Sequence, residues 1–301
     1  MNLGDRRRIT GPADARPLFF ETTQPTPLIL QKPLRKNDEI RSFFIQTGLL
    51  TNTNGSAYLE IDNTLILVSV FGPRPIKGPF MNKASFQVET KFLPYVEQPN
   101  YLNKANLFDL NHEEEFSIKR NIDITSGSYS SYSNIEQKIS SYVHSAFLPS
   151  ILLEKYPKST IDVFISVLST DPKDNVLSLI SDISNCCALA LVDSGIELND
   201  IISTGVCRVL KDNTVVLDPT SIISSGFNIN GDGNENKNIE YVDAVMSFMN
   251  CKNDQIVGFL TDGNLNLDSQ LVAKLIESSN VMAKQIRANI DSYLIGQISS
   301  N

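Results

Sequence analysis

Few side chains in this sequence have the types and the spacing that catalysis requires. The chain has two histidines, His112 in a polar stretch and His144 in a segment with helical spacing, and no motif places a serine or cysteine beside His144. Cys186 and Cys187 are adjacent in an apolar segment, which is typical of core cysteines, and the four cysteines contain no CxxC spacing. We therefore predict no nucleophilic site, no zinc site and no disulfide framework, and we expect a reducing compartment.

The acidic residues do not form a convincing ligand set either. The run Glu113–Glu115 lies in a polar stretch and is interpreted as a solvated acidic patch. Asp232 and Glu235 stand at irregular spacing in a loop rich in glycine and asparagine, which does not favour a metal site. The same loop reads GDGNEN, which lacks the GKS or GKT ending of a nucleotide phosphate loop. No metal and no other cofactor is predicted.

The strongest candidates for ligand contact are cations. Arg74 and Lys77 lie in the loop FGPRPIKGPF, whose three prolines stiffen it, so that both cations could meet the phosphate backbone of a nucleic acid with little ordering cost. A solvated basic loop without a ligand is the alternative. Near the N-terminus, the triplet Arg6, Arg7 and Arg8 is an anchor to a neighbouring subunit, an RNA contact or a mobile basic tail, and we rank the anchor first.

Composition and charge limit the function classes. Of 301 residues, 41% are apolar and 20% are charged, which is typical of a globular protein and excludes collagen, coiled coil and general disorder. The net charge of −8 argues against nucleic-acid binding over the whole surface. Residues 1–41 hold eight basic and five acidic residues, so a basic front end precedes an acidic body. No uninterrupted apolar run approaches the ~18 residues of a membrane helix, and the N-terminal stretch does not resemble a secretory signal.

Hydrophobic periodicity predicts a mixed α+β order of elements that would position these residues. Residues 1–40 are predicted to be an extended, proline-rich arm, residues 97–134 an inserted surface loop, and Asn54-Gly55 a hairpin turn. The predicted strands cover 43–48, 57–61, 64–71, 86–92, 161–167, 201–210, 215–217, 241–249 and 255–260. The predicted helices cover 135–147 with a continuation over 151–156, then 177–192 and 271–294.

Four segments in this order resemble one known fold. The stretch TGLLTNTNGSAYLEIDNTLILVSVFGPR (47–74) resembles the opening strands of the RNase PH fold. LLEKYPKSTIDVFISVL (152–168), ALALVDSGIEL (188–198) and VLDPT (216–220) resemble a helix-to-strand crossing, the second helix and a strand end of the same fold. The resemblance implies a single α+β domain over residues 41–301, RNase PH-like (ribosomal protein S5 domain 2-like), with mixed sheets packed with helices.

The N-terminal stretch MNLGDRRRITGPADARP is similar to the start of one fungal ring subunit of the eukaryotic RNA exosome. This resemblance implies a hetero-oligomeric ring with other RNase PH-like exosome subunits and S1/KH cap subunits as partners. Single-stranded RNA would pass through the complex, and no membrane would be involved. The implied processes are rRNA maturation, mRNA turnover and RNA surveillance, and the implied localisation is the nucleus, nucleolus and cytoplasm.

The resemblance also predicts that this chain is not an enzyme. Active relatives hold phosphate with an arginine in a glycine-rich turn, roughly GG(T/S)R, before the second helix, whereas residues 171–185 (DPKDNVLSLISDISN) contain neither glycine nor arginine. Glu240 and Asp243 are interpreted as ordinary strand-edge acids, with Asp243 a candidate vestige of an active-site acid. The alternatives are an active phosphate-dependent 3′-to-5′ exoribonuclease that uses Asp243, and a free-standing RNA-binding module, which the net charge of −8 disfavours.

Overall fold

The computed structural model describes residues 36–78, 80–96, 99, 134–171, 175–212, 214–219, 241–250, 253–263, 265 and 268–300. The predicted arm over residues 1–40 lies outside this range except for its last five residues. The predicted insertion over residues 97–134 lies outside it except for residues 99 and 134.

The described residues form two sheets and three α-helices, which confirms the predicted α+β class. In chain order the elements are β1 (Phe43–Thr47), β2 (Gly55–Ile61), β3 (Thr64–Pro75), β4 (Ser85–Phe92), α1 (Asn134–Phe147), a 3₁₀ turn (Leu153–Lys155), β5 (Ser159–Ser169), α2 (Val176–Asp193), β6 (Ile202–Leu210), β7 (Val215–Leu217), β8 (Tyr241–Met249), β9 (Gln255–Gly263) and α3 (Ser269–Ser300).

The first sheet has the strand order β1-β2-β3-β5-β4, with only the β4–β5 pair parallel. β1 and β2 form an antiparallel hairpin whose connection covers residues 48–54, so the chain reverses beside the predicted Asn54-Gly55, although this pair is not itself a two-residue turn. The two-residue turn of this sheet lies at Asp62 and Asn63, between β2 and β3, where Asp62 adopts φ 51°. Gly55 instead begins β2 and lies so close to the backbone of Ser194, after the end of α2, that a Cβ there would overlap it. The glycine is therefore required for packing and not for a turn.

The second sheet is antiparallel, with the order β7-β6-β8-β9. Helix α2 lies between the two sheets and packs against β2 and β3 on one side and β6 and β8 on the other. Helix α3 packs against β6 and β8. Helix α1 lies against β4 and β9 and so joins the edges of the two sheets.

Helix α2 is long and apolar enough to cross a membrane by length and composition alone. Its 18 residues have a mean hydropathy of 1.6, and 89% of them are buried inside the protein. Ser181, Asp182 and Asn185 interrupt its apolar sequence, which is why no uninterrupted apolar run marks it in the sequence. Burial between two sheets accounts for the composition, because a helix covered on both sides must be apolar nearly all round.

The prediction of a helical continuation over 151–156 is wrong except for the short 3₁₀ turn. Ile151 forms an isolated antiparallel bridge with Leu198, and its side chain is buried. The backbone is therefore drawn into pairing with the segment after α2, and a continuous helix cannot satisfy that pairing. The closing helix is longer than predicted and covers Ser269–Ser300.

Candidate functional site

The loop that carries the candidate cations is held against the start of β5. In the β3–β5 ladder Arg74 lies opposite Thr160, and beyond the strand the backbone N–H of Ile76 donates to the carbonyl of Lys158 at 3.1 Å. Gly72, with φ 139°, lies so close to Thr160 that a Cβ would be 2.6 Å from its carbonyl oxygen. Backbone pairing, together with the prolines, fixes where Arg74 stands.

Arg74 and Lys77 are both exposed, and neither forms an ion pair with another residue that the structure describes. The guanidinium carbon of Arg74 lies 4.5 Å from the centroid of the Phe71 ring, a cation–π contact that orients the side chain. Lys77 stands beyond the end of β3. Two cations with known positions and solvent access are thus available for an anionic ligand.

A third exposed cation, Lys158, lies at the same end of the sheet, and the sequence analysis missed it. Its N–H donates to the carbonyl of Met81 at 2.9 Å, while its own carbonyl accepts from Ile76, so Lys158 is bonded to the segments on both sides of the loop. Its φ of 55° holds a turn before β5. No local pattern could have indicated this, because the strand register alone brings residues 74 and 158 together.

Two neighbouring lysines, Lys83 and Lys155, differ from Arg74 and Lys77 because each forms an ion pair. Lys83 contacts Glu154 at 2.9 Å, and this hydrogen bond lowers the pKa of the Glu154 carboxyl. Lys155 pairs with Glu197. All four side chains are exposed, so each pair contributes little to stability, but each carboxylate offsets the charge of its lysine.

The N-terminus of α2 is where the resemblance places a phosphate-binding turn, and it is occupied by an asparagine. The side-chain oxygen of Asn175 accepts a hydrogen bond from the N–H of Leu177 at 3.1 Å, which caps the helix. The amide nitrogen of Asn175 donates to Asp243 Oδ2 at 2.6 Å. An anion at this helix end would have to displace the cap.

Asp243 is fully enclosed. It lies on β8 opposite Arg208 of β6, with none of its surface exposed. Arg208 Nε donates to Asp243 Oδ1 at 2.6 Å and Nη2 donates to Oδ2 at 2.9 Å, so the guanidinium forms a bidentate ion pair with the carboxylate. The guanidinium of Arg208 also lies 4.8 Å from the centroid of the Tyr241 ring. The candidate acid is thus the buried partner of an arginine and stands on β8, which lies between β6 and β9, and this corrects its interpretation as an ordinary strand-edge acid.

A second buried ion cluster joins the segment just before β1 to α2 and to the strand end VLDPT. The N–H and Nε of Arg41 donate to Asp218 Oδ2 at 3.0 and 2.8 Å, and Nη2 donates to Asp182 Oδ2 at 3.0 Å. The adjoining cavity holds about 20 Å³, room for about one water molecule. Asp218, in a segment that resembles the family, thus lies in a structural ion cluster.

The remaining candidates divide into core residues and residues outside the described range. His144 stacks on the Phe86 ring at 5.5 Å between centroids, as expected of a helix-face histidine. Cys186 and Cys187 are buried, and burial raises the pKa of both thiols, which agrees with their interpretation as core residues. Within the described ranges no group of three His, Cys, Asp or Glu side chains could hold a metal ion. Outside those ranges lie His112, Glu113–Glu115, Asp232, Glu235, Glu240 and the triplet Arg6, Arg7 and Arg8.

A family model described as "3′ exoribonuclease family, domain 1" (RNase PH) matches residues 39–197. The chain is 28% identical over 214 residues to the exosome complex component mtr3 of Schizosaccharomyces pombe, covering 70% of each chain. It is 24% identical to the exosome complex component MTR3 of Chaetomium thermophilum, covering 72% of this chain and 76% of that one. It is 33% identical to the exosome complex component Rrp41 of Pyrobaculum calidifontis, covering 64% and 68%.

Solved structures share the fold at lower sequence identity. Rice Rrp46 superposes with a TM-score of 0.62 at 21% identity, covering 86% of this chain and 97% of the rice chain. A chain of the Archaeoglobus fulgidus exosome with RNA bound to the active site superposes with a TM-score of 0.56 at 16% identity, covering 85% and 90%. These likenesses confirm the RNase PH-like fold predicted from the sequence.

Proposed function

Because the chain belongs to the RNase PH family of 3′ exoribonucleases, we propose that it is a non-catalytic structural subunit of the RNA exosome ring. Its similarity to exosome components named mtr3 and Rrp41 supports this assignment. Its partners are other RNase PH-like subunits, S1/KH cap subunits and single-stranded RNA that passes through the complex. The subunit holds the ring during 3′-to-5′ processing and degradation of RNA, including rRNA maturation, mRNA turnover and surveillance, in the nucleus, nucleolus and cytoplasm.

The observation that carries the non-catalytic part is the enclosure of Asp243. A general acid must come within about 3 Å of the atom it protonates, directly or through one water molecule. Asp243 has no exposed surface, and its two carboxylate oxygens accept hydrogen bonds from Arg208 and Asn175. The glycine–arginine turn that active relatives use for phosphate is missing from residues 171–185. Both observations support the proposal that this chain does not catalyse phosphorolysis.

The test is phosphorolysis by the purified chain. We expect no phosphate-dependent release of nucleoside diphosphates from a labelled oligoadenylate, because neither phosphate nor the leaving 3′ oxygen meets a catalytic group. An active archaeal exosome serves as the positive control. Phosphate-dependent shortening of the RNA that disappears in Asp243→Asn and persists in Asp268→Asn, an exposed acid before α3, would establish the catalytic alternative instead.

We also propose that Arg74 and Lys77 contact the RNA backbone, with Lys158 beside them. The support is positional: the three cations are exposed, and the backbone of their segments is hydrogen-bonded at one end of the first sheet. Such a contact requires no base recognition, because lysine and arginine meet phosphates whatever the sequence. A subunit that lines a path for many RNAs needs a contact of this kind.

The double variant Arg74→Ala/Lys77→Ala, incorporated into a reconstituted ring, tests this contact. We expect photocrosslinking of 4-thiouridine RNA to this chain to fall several-fold and the salt dependence of RNA binding to weaken by about 0.7 per lost phosphate contact. The control Lys274→Ala/Lys284→Ala removes the same charge from α3 and should leave both values unchanged. Unchanged crosslinking in the first variant would favour the solvated-loop alternative.

A further inference from the structure

β1 is an edge strand of the first sheet, and its free edge faces α3. Among the residues that the structure describes, β1 pairs with β2 alone. The N–H of Gly48, the residue after β1, donates to β2 at 3.0 Å, whereas the N–H of Thr47 donates away from β2 to the hydroxyl of Tyr293 on α3, also at 3.0 Å. Because successive residues of an antiparallel strand point their N–H and C=O groups to opposite edges, those of Phe43 and Ile45 also point away from β2.

A groove of about 990 Å³ lies between this free edge and α3. Residues 40–45 line one side of the groove. The other side is lined by Gln285, Ala288, Asn289, Ser292 and Tyr293. In the part of the chain that the structure describes, no hydrogen-bond partner meets the outward N–H and C=O groups of Phe43 and Ile45. Unpaired backbone groups along a strand edge are a template for the addition of another strand.

The groove has the size of a short extended segment. β1 has five residues, which at about 3.4 Å per residue make an edge about 17 Å long. The hydrogen bond from Thr47 to Tyr293 closes one end of this edge. The volume of the groove is at the upper end of the roughly 300–1,000 Å³ of pockets for small ligands, whereas a folded partner needs roughly 800 Å² of surface on each side. The groove therefore matches a linear segment of about five residues and not a folded domain.

The exposed part of the groove lining is uncharged. Among the lining residues Arg41 alone is charged, and its side chain is buried and donates to Asp182 and Asp218. An RNA backbone binds through free cations, and a charged peptide side chain would lose water here without gaining an opposite charge. The side-chain amides of Gln285 and Asn289 can instead form hydrogen bonds with peptide groups. The lining therefore favours an uncharged extended peptide.

We propose that this groove binds an extended, uncharged peptide segment of another protein, which adds a strand to the edge of β1. Backbone groups of the segment pair with those of Phe43 and Ile45, and its alternate side chains lie against α3. Main-chain pairing supplies the affinity, so the site accepts a range of sequences that lack charge and proline. This interaction with a linear segment is separate from the subunit and RNA contacts proposed above, and it does not depend on ring membership.

The test measures binding of a fluorescein-labelled peptide of sequence GSVTVSG to the full chain. We expect saturable binding of one peptide per chain, and we expect the amide protons of Phe43 and Ile45 to become protected from hydrogen exchange. Methylation of every second backbone nitrogen removes the donors along one edge of the peptide. Of two peptides methylated in this way on opposite edges, one should bind about tenfold less tightly than the other, because an added strand pairs through one edge. Equal affinities of the two methylated peptides would overturn the proposal.

The variant Ala288→Trp fills the groove, and we expect it to bind the peptide at least about tenfold more weakly than the wild type. Ala273→Trp makes the same change at another exposed alanine of α3, outside the groove lining, and should bind as the wild type does. Both positions are exposed, so both variants should keep a melting temperature near that of the wild type. If Ala288→Trp unfolds, the methylated peptides decide the question with the wild-type chain alone.

Four further results would overturn the proposal. The first two are the absence of peptide binding by the wild-type chain and equal binding by Ala288→Trp. Displacement of the peptide by oligouridylate would assign the groove to RNA. Self-association of the wild-type chain that Ala288→Trp abolishes would assign the groove to a second copy.

Discussion

At the residue scale, the pair of Arg208 and Asp243 decides what the candidate acid can do. Both side chains are almost completely buried, with 1% and 0% of the side chain exposed. Taking two ions out of water is costly, and the cost is offset only because the geometry is bidentate and Asn175 satisfies a further lone pair. An acid used in this way stabilises the junction of β6, β8 and α2.

The variant Asp243→Ala should lower the free energy of unfolding by about 3–5 kcal/mol, because it leaves a buried guanidinium without its carboxylate. The double variant Arg208→Met/Asp243→Leu should recover most of this loss, since it removes both charges together. Urea denaturation of the purified chain measures both values. Asp254→Ala, which breaks an exposed pair with Lys284, is the control and should produce no measurable change. Equal effects of Asp243→Ala and Asp254→Ala would contradict the structural role.

At the element scale, the fold depends on how closely α2 and α3 approach the strands. Sixteen of the 18 residues of α2 are buried, because one sheet covers each side of the helix. On the other side of the second sheet, Gly205 of β6 lies against the backbone of α3 at Ser279, and a Cβ on Gly205 would overlap the Ser279 carbonyl. Strand and helix can come this close only because the residue is glycine.

Gly205→Ala should lower the free energy of unfolding by about 1–3 kcal/mol, because the added methyl forces α3 away from β6. Gly296→Ala is the matched control: Gly296 lies in α3 with nothing within 4 Å of the added Cβ. There the same change should raise stability by up to about 1 kcal/mol through helix propensity. Thermal or urea unfolding distinguishes the two, and a neutral Gly205→Ala would mean that helix and strand are not in tight contact.

The elements also explain which strand and turn predictions succeeded. Alternation predicted β2 and β5 because each has one buried face. A continuous apolar run predicted β3 as a strand buried on both faces, but only the face with Ile66, Val68 and Val70 is almost fully enclosed. Asn54-Gly55 has the sequence of a two-residue turn, yet it lies at the end of the longer β1–β2 connection, and the two-residue turn lies at Asp62 and Asn63. A glycine is required at position 55 because the backbone at the end of α2, 120 residues or more further along the chain, lies against it. Local turn chemistry could not reveal this contact.

At the scale of the whole molecule, charge and surface indicate an assembly subunit. The net charge is −8, and the basic residues concentrate at the front end, while the exposed rings of Phe44 and Phe164 lie opposite Glu60 and Glu89 in the strand register. A free RNA-binding module would present a broad basic surface. As proposed above, an acidic body with local cations at Arg74, Lys77 and Lys158 belongs to a subunit that its neighbours hold and that we expect to contact RNA at one place.

The triplet Arg6, Arg7 and Arg8 remains a prediction at this scale. As an anchor to a neighbouring subunit it should be required for assembly, so the variant Arg6→Ala/Arg7→Ala/Arg8→Ala should incorporate into the ring several-fold less than the wild type. Native mass measured on the complex at moderate salt reports this, with Lys274→Ala/Lys284→Ala as the control for lost charge. Normal incorporation together with reduced RNA crosslinking would reverse the ranking and make the triplet an RNA contact.

The sequence by itself determined the fold class, the order and most bounds of the strands and helices, and the absence of a glycine–arginine turn before α2. These are local properties, because alternation, helical spacing and short motifs depend only on residues that are close together in the sequence. It also identified Arg74 and Lys77 as cations on a stiff loop. The resemblance to RNase PH proteins rested on the same local segments, taken in order.

Only the tertiary structure decided the surroundings of Asp243 and Lys158 and the exposure of Phe44 and Phe164. Strand register places Arg208 opposite Asp243 and Lys158 beside the Arg74 loop. Neither pairing can be predicted from the local sequence. Alternation shows that a strand has two faces but not which of them a helix covers, so Phe44 and Phe164 could be recognised as exposed only after α2 was found on the opposite side. Side-chain environments depend on residues far apart in the chain, and folding alone brings those residues together.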